Sequence, residues 1–404
     1  MAGRLVIGQS GGPTPVMNAT LVGIIREARR SGAFDAIYGL AHGLEGALSG
    51  TFHDLTHLDD AALAGLAQTP GAALGGTRCR LADDQYPRVL DFFRAHRVAA
   101  FAYIGGNGSM WVCARLAQLA ETAALRVIGV PKTVDNDLAG TDHAPGYGSA
   151  ARFMALAARD CGRDLEAMTT FDDVVLLEAM GRDTGWLAAA AGLAQDDPGD
   201  APHLIYVPEL PFDEGRFLDD VARVHRRLGR VFVVVGEGLR DAGGRFIGLH
   251  AADGDSADTL GRVVYALATG PAAYLARLVR ERLGLQSRFL RPGLIGRALS
   301  ACVSAVDRAE AEQVGAAAAR LLADGQTGLM VTLNRVSDAP YVCETGVVPL
   351  EQAAQGERFL PRAYLDADGT MITPAFRRYA APLVGDLPRL ARLPALTPSA
   401  MGGR

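Results

Sequence analysis

Short runs of apolar and β-branched residues alternate with longer amphipathic stretches along most of this chain. The runs at residues 5–9, 98–104 and 126–130 are almost continuously apolar, which is typical of strands buried on both faces. This pattern predicts an α/β fold with two doubly wound, Rossmann-like lobes, mainly parallel sheets and an active site in the cleft between the lobes. Further strands are predicted at residues 173–178, 204–207 and 230–235, and helices at residues 18–30, 110–122, 150–160, 186–195 and 213–228.

The composition excludes several classes of protein. The 404 residues are 49% hydrophobic and 21% charged, which excludes a disordered or fibrous chain and allows two or three domains. The five scattered cysteines favour reduced thiols in the cytoplasm over zinc or disulfides. The net charge of −5 provides no bulk attraction for nucleic acid. No apolar run reaches the ~20 residues of a membrane span, and residues 1–9 resemble a strand rather than a secretion signal. We therefore expect a cytoplasmic protein that binds neither nucleic acid nor a membrane.

Lysine is almost absent from the chain. Of its 40 basic residues, all but Lys132 are arginine. Arginine presents a planar fork and lysine a compact ammonium, so a position that keeps lysine in such a chain indicates a need for the compact cation. Chance is the alternative explanation, and the neighbours of Lys132 argue against it.

Two glycine-rich turns follow predicted strands. Gly11 lies in the segment QSGGPTPVMN, and Gly108 and Ser109 lie in the segment YIGGNGSM. Adjacent glycines let the backbone approach a phosphate, and the N-terminus of the following helix attracts an anion. A plain tight turn explains the first segment about equally well. The second also carries Asn107, whose side-chain oxygen can join a magnesium shell.

Residues 131–137 (PKTVDND) place two acids, a cation and a hydroxyl after the third predicted strand. Asp135 is a candidate general base that takes a proton from an attacking hydroxyl. Asp137 is a candidate ligand of Mg²⁺, and Lys132 can neutralise charge on a transferred phosphoryl group. The alternative is a solvated turn, which Asp and Asn favour. The position of the only lysine in this segment makes the catalytic interpretation the better one.

Charged residues follow other predicted strand ends. Arg182, in the segment MGRDTGW, can hold a phosphate bidentately. Arg78, Glu237 and Arg297 lie in similar glycine-containing segments, although each alone is more typical of a surface residue. His143 is interpreted as structural because nothing pairs it with a nucleophile. Together these strand ends provide what phosphoryl transfer to a hydroxyl of a phosphorylated acceptor requires.

The motifs resemble, in order and spacing, those of the 6-phosphofructokinase family, which includes ATP-dependent and pyrophosphate-dependent enzymes. The resemblance covers residues 4–307 and depends most on PKTVDND, MGRDTG and Gly11-Gly12 with Asn18. It implies phosphorylation of fructose 6-phosphate at O1, with Mg²⁺ as cofactor and Asp135 as the base, assisted by Lys132 and Arg182. It also implies donor contacts from Gly11, Arg78, Gly108 and Ser109, metal contacts from Asn107 and Asp137, and sugar-phosphate contacts from Thr133, Val134, Asp135, Met180, Gly181, Arg182, Glu237, Arg297 and Arg308.

We expect the chain to divide into three parts. Residues 1–146 with about 308–340 would form the donor-binding and catalytic lobe. Residues 147–307 would form the lobe that binds fructose 6-phosphate. Residues 341–404, where the periodic pattern weakens, would be a C-terminal extension, and its residues 361–404 would be irregular and wrap the body or contact another subunit. The resemblance also implies a homodimer or homotetramer.

Three residues bear on the phosphoryl donor. Where this chain has Gly108, the pyrophosphate-dependent branch usually carries an aspartate that takes the space and charge of a nucleotide's α-phosphate. Gly108 would open the site to ATP, which is the favoured donor. Lys132 and Asn107 instead resemble the pyrophosphate branch, although some longer ATP-dependent members pair lysine with glycine at these positions. A reversible pyrophosphate-dependent enzyme is therefore the alternative.

Other functions are weaker alternatives. An NAD or lipid kinase has a GGDG-like loop but no place for PKTVDND or MGRDTG. A sugar-phosphate sensor without catalysis would be expected to lack Asp135 or Arg182, and a sedoheptulose 7-phosphate kinase would keep the chemistry with a longer acceptor. Asp173 stands where the family often has an arginine for a neighbouring subunit's sugar phosphate. The basic residues that bind effectors in short bacterial members do not stand out in residues 16–30, so we expect weak regulation by ADP or phosphoenolpyruvate.

Overall fold

The computed structural model describes residues 3–77, 81–120, 125–248 and 270–393. The strands in this part of the chain are, in order, β1 (Gly3–Gln9), β2 (Phe34–Leu40), β3 (Phe52–Asp54), β4 (Val98–Gly105), β5 (Arg126–Pro131), β6 (Val174–Ala179), β7 (Leu204–Tyr206), β8 (Val231–Gly236), β9 (Ser287–Leu290), β10 (Leu329–Asp338) and β11 (Tyr341–Pro349).

The helices lie mostly between parallel strands, as the alternating pattern predicts. They are α1 (Met17–Ser31), α2 (Leu44–Ser49), α3 (Asp60–Gln68), α4 (Gln85–Ala95), α5 (Asn107–Leu119), α6 (Tyr147–Ala167), α7 (Trp186–Ala190), α8 (Glu214–Leu228), α9 (Pro271–Leu283), α10 (Ile295–Ala298), α11 (Ala305–Ala323), α12 (Leu350–Gln355) and α13 (Pro374–Val384). Short 3₁₀ helices span Ala191–Ala194, Ser300–Cys302 and Arg362–Tyr364.

The larger lobe is built on a sheet whose described strands have the order β11-β10-β5-β4-β1-β2-β3. The inner strands run parallel, and β3 and β11 are antiparallel strands at the two edges. Leu5 and Ile7 of β1 pack into a core with α1 and α11, whereas Val6 packs on the opposite side with α4 and α5. Residues 5–7 of the strand are apolar because helices cover both of its faces.

The smaller lobe has a parallel sheet with the order β7-β8-β6-β9 among the described residues. Val175 and Leu177 of β6 face a core with α6 and α7, while Val174 and Leu176 face α8 and α9. Two sheets covered by helices on both faces confirm the predicted α/β fold. No helix among the described residues combines the length and the apolar character that crossing a membrane requires.

The predicted strands agree with the observed ones to within two residues at each end. The helices agree less well. α5 begins three residues before the predicted start, because the carbonyl of Gly106 already accepts from the N–H of Met110 at 3.1 Å. α6 continues to Ala167, seven residues past its predicted end. The predicted helix at residues 186–195 is α7 followed by a 3₁₀ turn.

The part of the chain after residue 340, where the sequence pattern weakens, contains regular elements in the described residues. β11 pairs antiparallel with β10 along its length, and α13 buries Phe376, Tyr379 and Leu383 in the core of the smaller lobe. β11 is an edge strand whose residues alternate between half-buried and exposed, so it lacks the continuous apolar run of the inner strands. Pro382 inside α13 also weakens the helical pattern. The C-terminal part therefore contributes to both lobes.

Candidate active site

Three turns of the larger lobe meet at one edge of its sheet. β5, β4 and β1 are neighbours, so the segments that follow them lie side by side. The N–H of Ser10 donates to the carbonyl of Ile104 at 2.9 Å, and the N–H of Lys132 donates to the carbonyl of Gly105 at 3.0 Å. The two glycine-rich turns and the catalytic loop, residues 131–137, thus form one surface.

Two cations converge on the first glycine turn. The Nζ of Lys132, a residue only 5% exposed, donates to the carbonyl of Gly12 at 3.0 Å. A Cβ on Gly11, which has φ +77°, would lie 3.0 Å from that Nζ, and a Cβ on Gly12 would collide with the guanidinium of Arg297. The positive φ of Gly11 favours glycine, and the ammonium of one lobe and the guanidinium of the other approach the same backbone. Such a turn is suited to a strongly anionic ligand.

The acids of the catalytic loop are held by specific donors. The carboxylate of Asp137 accepts from the Nδ2 of Asn107 at 2.8 Å and from the Oγ1 of Thr133 at 2.9 Å. The N–H of Asp135 donates to the same Thr133 hydroxyl oxygen at 3.1 Å. Among the described residues, the buried Oδ1 of Asn107 has no hydrogen-bond partner. The loop therefore orients Asp137 and leaves an oxygen of Asn107 available to a ligand.

The carboxyl group of Asp135 lies in an unfavourable place for a negative charge. Burial, followed by the charges of Asp137 and Glu237, raises the pKa of Asp135 to about 7. The charges of Lys132 and Arg297 oppose this increase only in part. A carboxyl group with a pKa near neutrality is well matched to accept a proton at physiological pH.

The smaller lobe adds the turns after β6 and β8, which are neighbouring strands. The N–H of Glu237 donates to the carbonyl of Ala179 at 2.9 Å, and its carboxylate accepts from the N–H of Gly181 at 3.2 Å. Burial raises the pKa of Glu237. The hydroxyl of Thr184 donates to the carbonyl of Asp135 at 3.0 Å. This last bond joins the MGRDTG turn directly to the catalytic loop.

Other predicted site residues surround this centre. Gly108 is exposed at the start of α5, and a Cβ there would meet nothing within 4 Å. Ser109 is buried, with its hydroxyl against Gly105. The side chain of Val134 packs in the apolar core of the smaller lobe, and Met180 packs against that core, so neither side chain offers polar recognition. The backbone of Arg182 lies so close to Gly238 that a Cβ there would clash with it.

Of the two remaining predicted arginines, Arg308 belongs to the described residues. Arg78 lies outside the described residues. Arg308 is on α11, takes part in none of the contacts above, and its buried Nε has no hydrogen-bond partner among the described residues. The adjacent Asp307 has a structural role, because it accepts from the N–H groups of Gly146 and Ser149 at 2.8 and 2.9 Å and fixes the start of α6.

His143 and Asp173 also serve the fold. The ring of His143 is buried between the carboxylates of Asp142 and Glu310, at 2.8 and 2.7 Å. Asp173 contacts the ring of His225 at 3.0 Å and accepts from the N–H of Gln286 at 2.8 Å. The carboxylate of Asp173 therefore stabilises the smaller lobe through contacts inside that lobe.

Sequence reasoning missed one residue of the catalytic loop, Asn136, and three residues that contact the loop. Thr184 and Asn136 stand inside the motifs, where their hydrogen-bonding side chains were the available signal. Arg358 and Tyr379 lie in the C-terminal part, more than 200 residues from the loop in sequence. The N–H of Arg358 donates to the carbonyl of Asp137, and the Nδ2 of Asn136 donates to the hydroxyl of Tyr379, both at 2.9 Å. No local pattern could have linked them to the site.

Comparison with known proteins agrees with this geometry. The family model described as "Phosphofructokinase" matches residues 4–322. The chain belongs to the phosphofructokinase family. A relative from Xanthomonas campestris, named pyrophosphate–fructose 6-phosphate 1-phosphotransferase, is 41% identical and covers 96% of this chain and 93% of its own. The solved structure of a pyrophosphate-dependent phosphofructokinase from Marinobacter aquaeolei has a TM-score of 0.85 at 33% identity, covering 96% of this chain and 94% of that one.

Relatives with other names are also similar to this phosphofructokinase. A sulfofructose kinase from Alkalicoccus urumqiensis is 36% identical and covers 90% of this chain and 92% of its own. An ATP-dependent 6-phosphofructokinase from Thermus thermophilus is 30% identical and covers 90% of this chain and 97% of its own. The family prediction is confirmed. The pyrophosphate alternative agrees better with these names than the ATP donor that Gly108 predicts.

Proposed function

We propose that this phosphofructokinase transfers a phosphoryl group reversibly from pyrophosphate to O1 of fructose 6-phosphate. The observation that carries the proposal is the buried ammonium of Lys132, held at the carbonyl of Gly12 beside the catalytic loop. A compact cation in a glycine cradle suits a small, highly charged donor, because it neutralises phosphoryl oxygens without filling the space they need. The name of the Xanthomonas relative supports the same donor.

The proposed reaction divides the work between the two lobes. Asp135 accepts the proton of O1, O1 bonds to the transferred phosphorus, and the bridging oxygen leaves with orthophosphate. Lys132 and Arg297 stabilise the charge on the oxygens in transit, since both reach the Gly11-Gly12 turn. Arg182 and Glu237, at the strand ends of the smaller lobe, orient the sugar phosphate. Contacts between the lobes keep water from competing with O1.

The residues at the catalytic loop fit Mg²⁺. The cation prefers oxygen ligands. The carboxylate of Asp137 accepts from the Nδ2 of Asn107, and the Oδ1 of the same amide has no hydrogen-bond partner among the described residues. We propose that Asn107 and Asp137 hold Mg²⁺, directly or through water. When bound, the ion supplies positive charge that offsets the charge of the donor oxygens.

The proposal also covers the acceptor, the cellular location and the oligomeric state. One similar protein is named sulfofructose kinase, and that name gives a different acceptor. Arginines bind any tetrahedral oxyanion at C6. We propose fructose 6-phosphate, with sulfofructose and sedoheptulose 7-phosphate as the competitors to test. We propose a cytoplasmic location from the cysteine pattern and a homodimer or homotetramer from the family resemblance, and analytical ultracentrifugation tests the oligomeric state.

The deciding experiment is an assay of the purified full chain with fructose 6-phosphate and Mg²⁺. Pyrophosphate and ATP are compared at matched concentrations, each with and without a chelator. We expect pyrophosphate to give the higher kcat/KM and the chelator to abolish turnover. A higher kcat/KM with ATP would overturn the donor, and a higher kcat/KM with sulfofructose than with fructose 6-phosphate would overturn the acceptor.

A further inference from the structure

A short C-terminal segment lies directly against the catalytic loop. We call residues 356–360 the clasp segment. The N–H of Arg358 donates to the carbonyl of Asp137 at 2.9 Å, and its Nη1 donates to the carbonyl of Asn136 at 3.3 Å. Two successive carbonyl groups of the catalytic loop are therefore held by one residue that lies about 220 positions later in the chain.

The clasp segment also contacts the smaller lobe. The Oε1 of Glu209 accepts from the N–H of Leu360 at 2.8 Å and from the N–H of Gly185 at 2.9 Å. Gly185 ends the MGRDTG turn, and the Leu360 side chain is buried in the core of the smaller lobe. The clasp segment thus links the catalytic loop of one lobe to the sugar-side turn of the other.

The guanidinium of Arg358 is itself held firmly. It lies 4.0 Å from the ring centre of Trp186, and its Nη2 donates to the hydroxyl of Tyr379 at 3.2 Å. The indole N–H of Trp186 donates to the carbonyl of Arg358 at 3.1 Å. The Tyr379 hydroxyl also accepts from the Nδ2 of Asn136 and donates to the carbonyl of Asp142, so it uses its donor and both acceptor sites. A guanidinium held by a ring on one face and by hydrogen bonds at its edge can fix the backbone it touches.

The catalytic loop needs such support. Asn136 has φ +56°, a left-handed conformation that asparagine tolerates better than other side chains but still disfavours. It separates two acids, Asp135 and Asp137, whose charges repel. Without contacts from outside, the backbone would relax towards an ordinary turn, and the Asp135 carboxylate would move with it.

We propose that Arg358 is a positioning residue for phosphoryl transfer, which holds the backbone at residues 136–137 so that Asp135 faces O1 of the acceptor. The inference rests on the proposed role of Asp135 as base. Arg358 does not touch the reacting atoms in this arrangement; it acts through the loop. Loss of positioning should therefore reduce kcat much more than it changes substrate binding.

The test compares Arg358→Met with Arg362→Met. Methionine keeps most of the apolar stem of Arg358 but removes the charge and the donors. Arg362 is a matched control, because its guanidinium donates to the carbonyls of Leu365 and Ala367, within its own segment. We expect Arg358→Met to lower kcat about 10- to 100-fold with KM values for both substrates changed less than about threefold, since misplacement by about 1 Å can slow a reaction ~10²-fold. Arg362→Met should keep the wild-type kcat.

A second measurement does not depend on turnover. We expect hydrogen–deuterium exchange of residues 133–138 to accelerate in Arg358→Met and to stay unchanged in Arg362→Met. If the wild type uses neither donor, the proposed function fails, while this exchange still tests the positioning role. A kcat within twofold of wild type, or unchanged exchange in residues 133–138, would overturn the proposal.

Should Arg358→Met not fold, Arg358→Lys keeps the proposal testable. Lysine retains a cation over Trp186 but lacks the planar fork that serves Asn136 and Tyr379 together. We expect its kcat to lie between those of the wild type and Arg358→Met, about 3- to 10-fold below the wild type. A wild-type kcat in Arg358→Lys would count against the role of the fork.

Discussion

The catalytic loop and the clasp segment touch each other, yet the two regions differ in how well their own groups are satisfied. In the loop, burial and neighbouring acids raise the pKa of Asp135 to about 7, and Asn136 has a positive φ. In the clasp segment, Arg358 has a hydrogen-bonded backbone, carbonyl and hydroxyl acceptors for its guanidinium, and an aromatic ring beneath it. The environment is unfavourable for a charge at the proposed base, Asp135, and favourable for the guanidinium of Arg358 next to it.

This difference shows how a reactive arrangement can persist. Groups held in a strained or poorly solvated state remain there only when surrounding contacts determine their position. The clasp segment supplies such contacts, and it also reaches the smaller lobe through Glu209. Substitutions in the two regions should therefore change catalysis to different extents and change stability in opposite directions.

The largest effect is expected from Asp135→Asn. Asparagine keeps the shape but cannot accept the O1 proton, so kcat should fall about 10³-fold, with little change in the KM for fructose 6-phosphate. This loss should exceed that of Arg358→Met, because one variant removes the base and the other only displaces it. Steady-state kinetics at pH 8 checks the order. Asp91→Asn, an exposed ion-pair partner of Arg94 on α4, is the control, and near-normal turnover of Asp135→Asn would contradict the assignment of the base.

A smaller loss is expected from Lys132→Arg, which keeps the charge in the loop but changes its shape. The Nζ of Lys132 already lies 3.0 Å from the carbonyl of Gly12, at a residue that is only 5% exposed, so a larger planar guanidinium requires the surrounding groups to move. We expect kcat/KM for pyrophosphate to fall about 10²-fold, and Lys132→Met to lose at least as much. Full activity in Lys132→Arg would show that any cation suffices and would remove the argument from the single lysine.

The same two regions show what the sequence could predict. The catalytic loop was recognisable because its residues follow a continuously apolar strand and combine charged types that seldom occur together in a plain turn. Parallel strands bring their carboxyl ends to one edge, so the meeting of the loop with the turn at Gly11 was also predictable. The prediction of Asp135 as the general base followed from its residue type and its position in the sequence alone.

The clasp segment was not recognisable for equally physical reasons. Arg358 is one of 39 arginines, and its role depends on a contact with residues more than 200 positions away. β11, the strand before it, is a half-exposed edge strand without the apolar run that marked the inner strands. Contacts fixed by tertiary packing leave no local period, so positioning residues are harder to predict than reacting ones.

Gly108 offers a further test, outside both regions, with a smaller expected effect. It lies in the first turn of α5, where an acid is favourable and a Cβ meets nothing within 4 Å. We expect Gly108→Asp to leave pyrophosphate turnover within about twofold, because the new side chain at this exposed position displaces no neighbouring atom. If ATP is a donor, its kcat/KM should fall at least about tenfold, since the new charge opposes the α-phosphate. If ATP is not a donor, its inhibition constant should rise by the same factor.

The control for Gly108→Asp is Gly108→Asn, which has the same size without the charge. If charge excludes the nucleotide, the asparagine variant should keep its response to ATP, and if bulk excludes it, both variants should lose that response. Loss of pyrophosphate turnover in Gly108→Asp would place this position beside the transferred phosphoryl group instead.

The smallest effect, on stability, most directly tests the contrast between loop and clasp. The pKa of Asp135 is about 7 in the folded protein and near 3.8 in an unfolded chain, so ionisation destabilises the fold progressively as pH rises between these values, and fully above them. Asp135→Asn should therefore raise the thermal midpoint at pH 8 by roughly 1–3 °C, and by less at pH 5. Arg358→Met should lower it at both pH values, because it removes favourable contacts. Differential scanning calorimetry measures both variants. Equal shifts for Asp135→Asn at the two pH values, or shifts of the same sign for both variants at pH 8, would show that the catalytic loop holds no unfavourable charge for the clasp segment to offset.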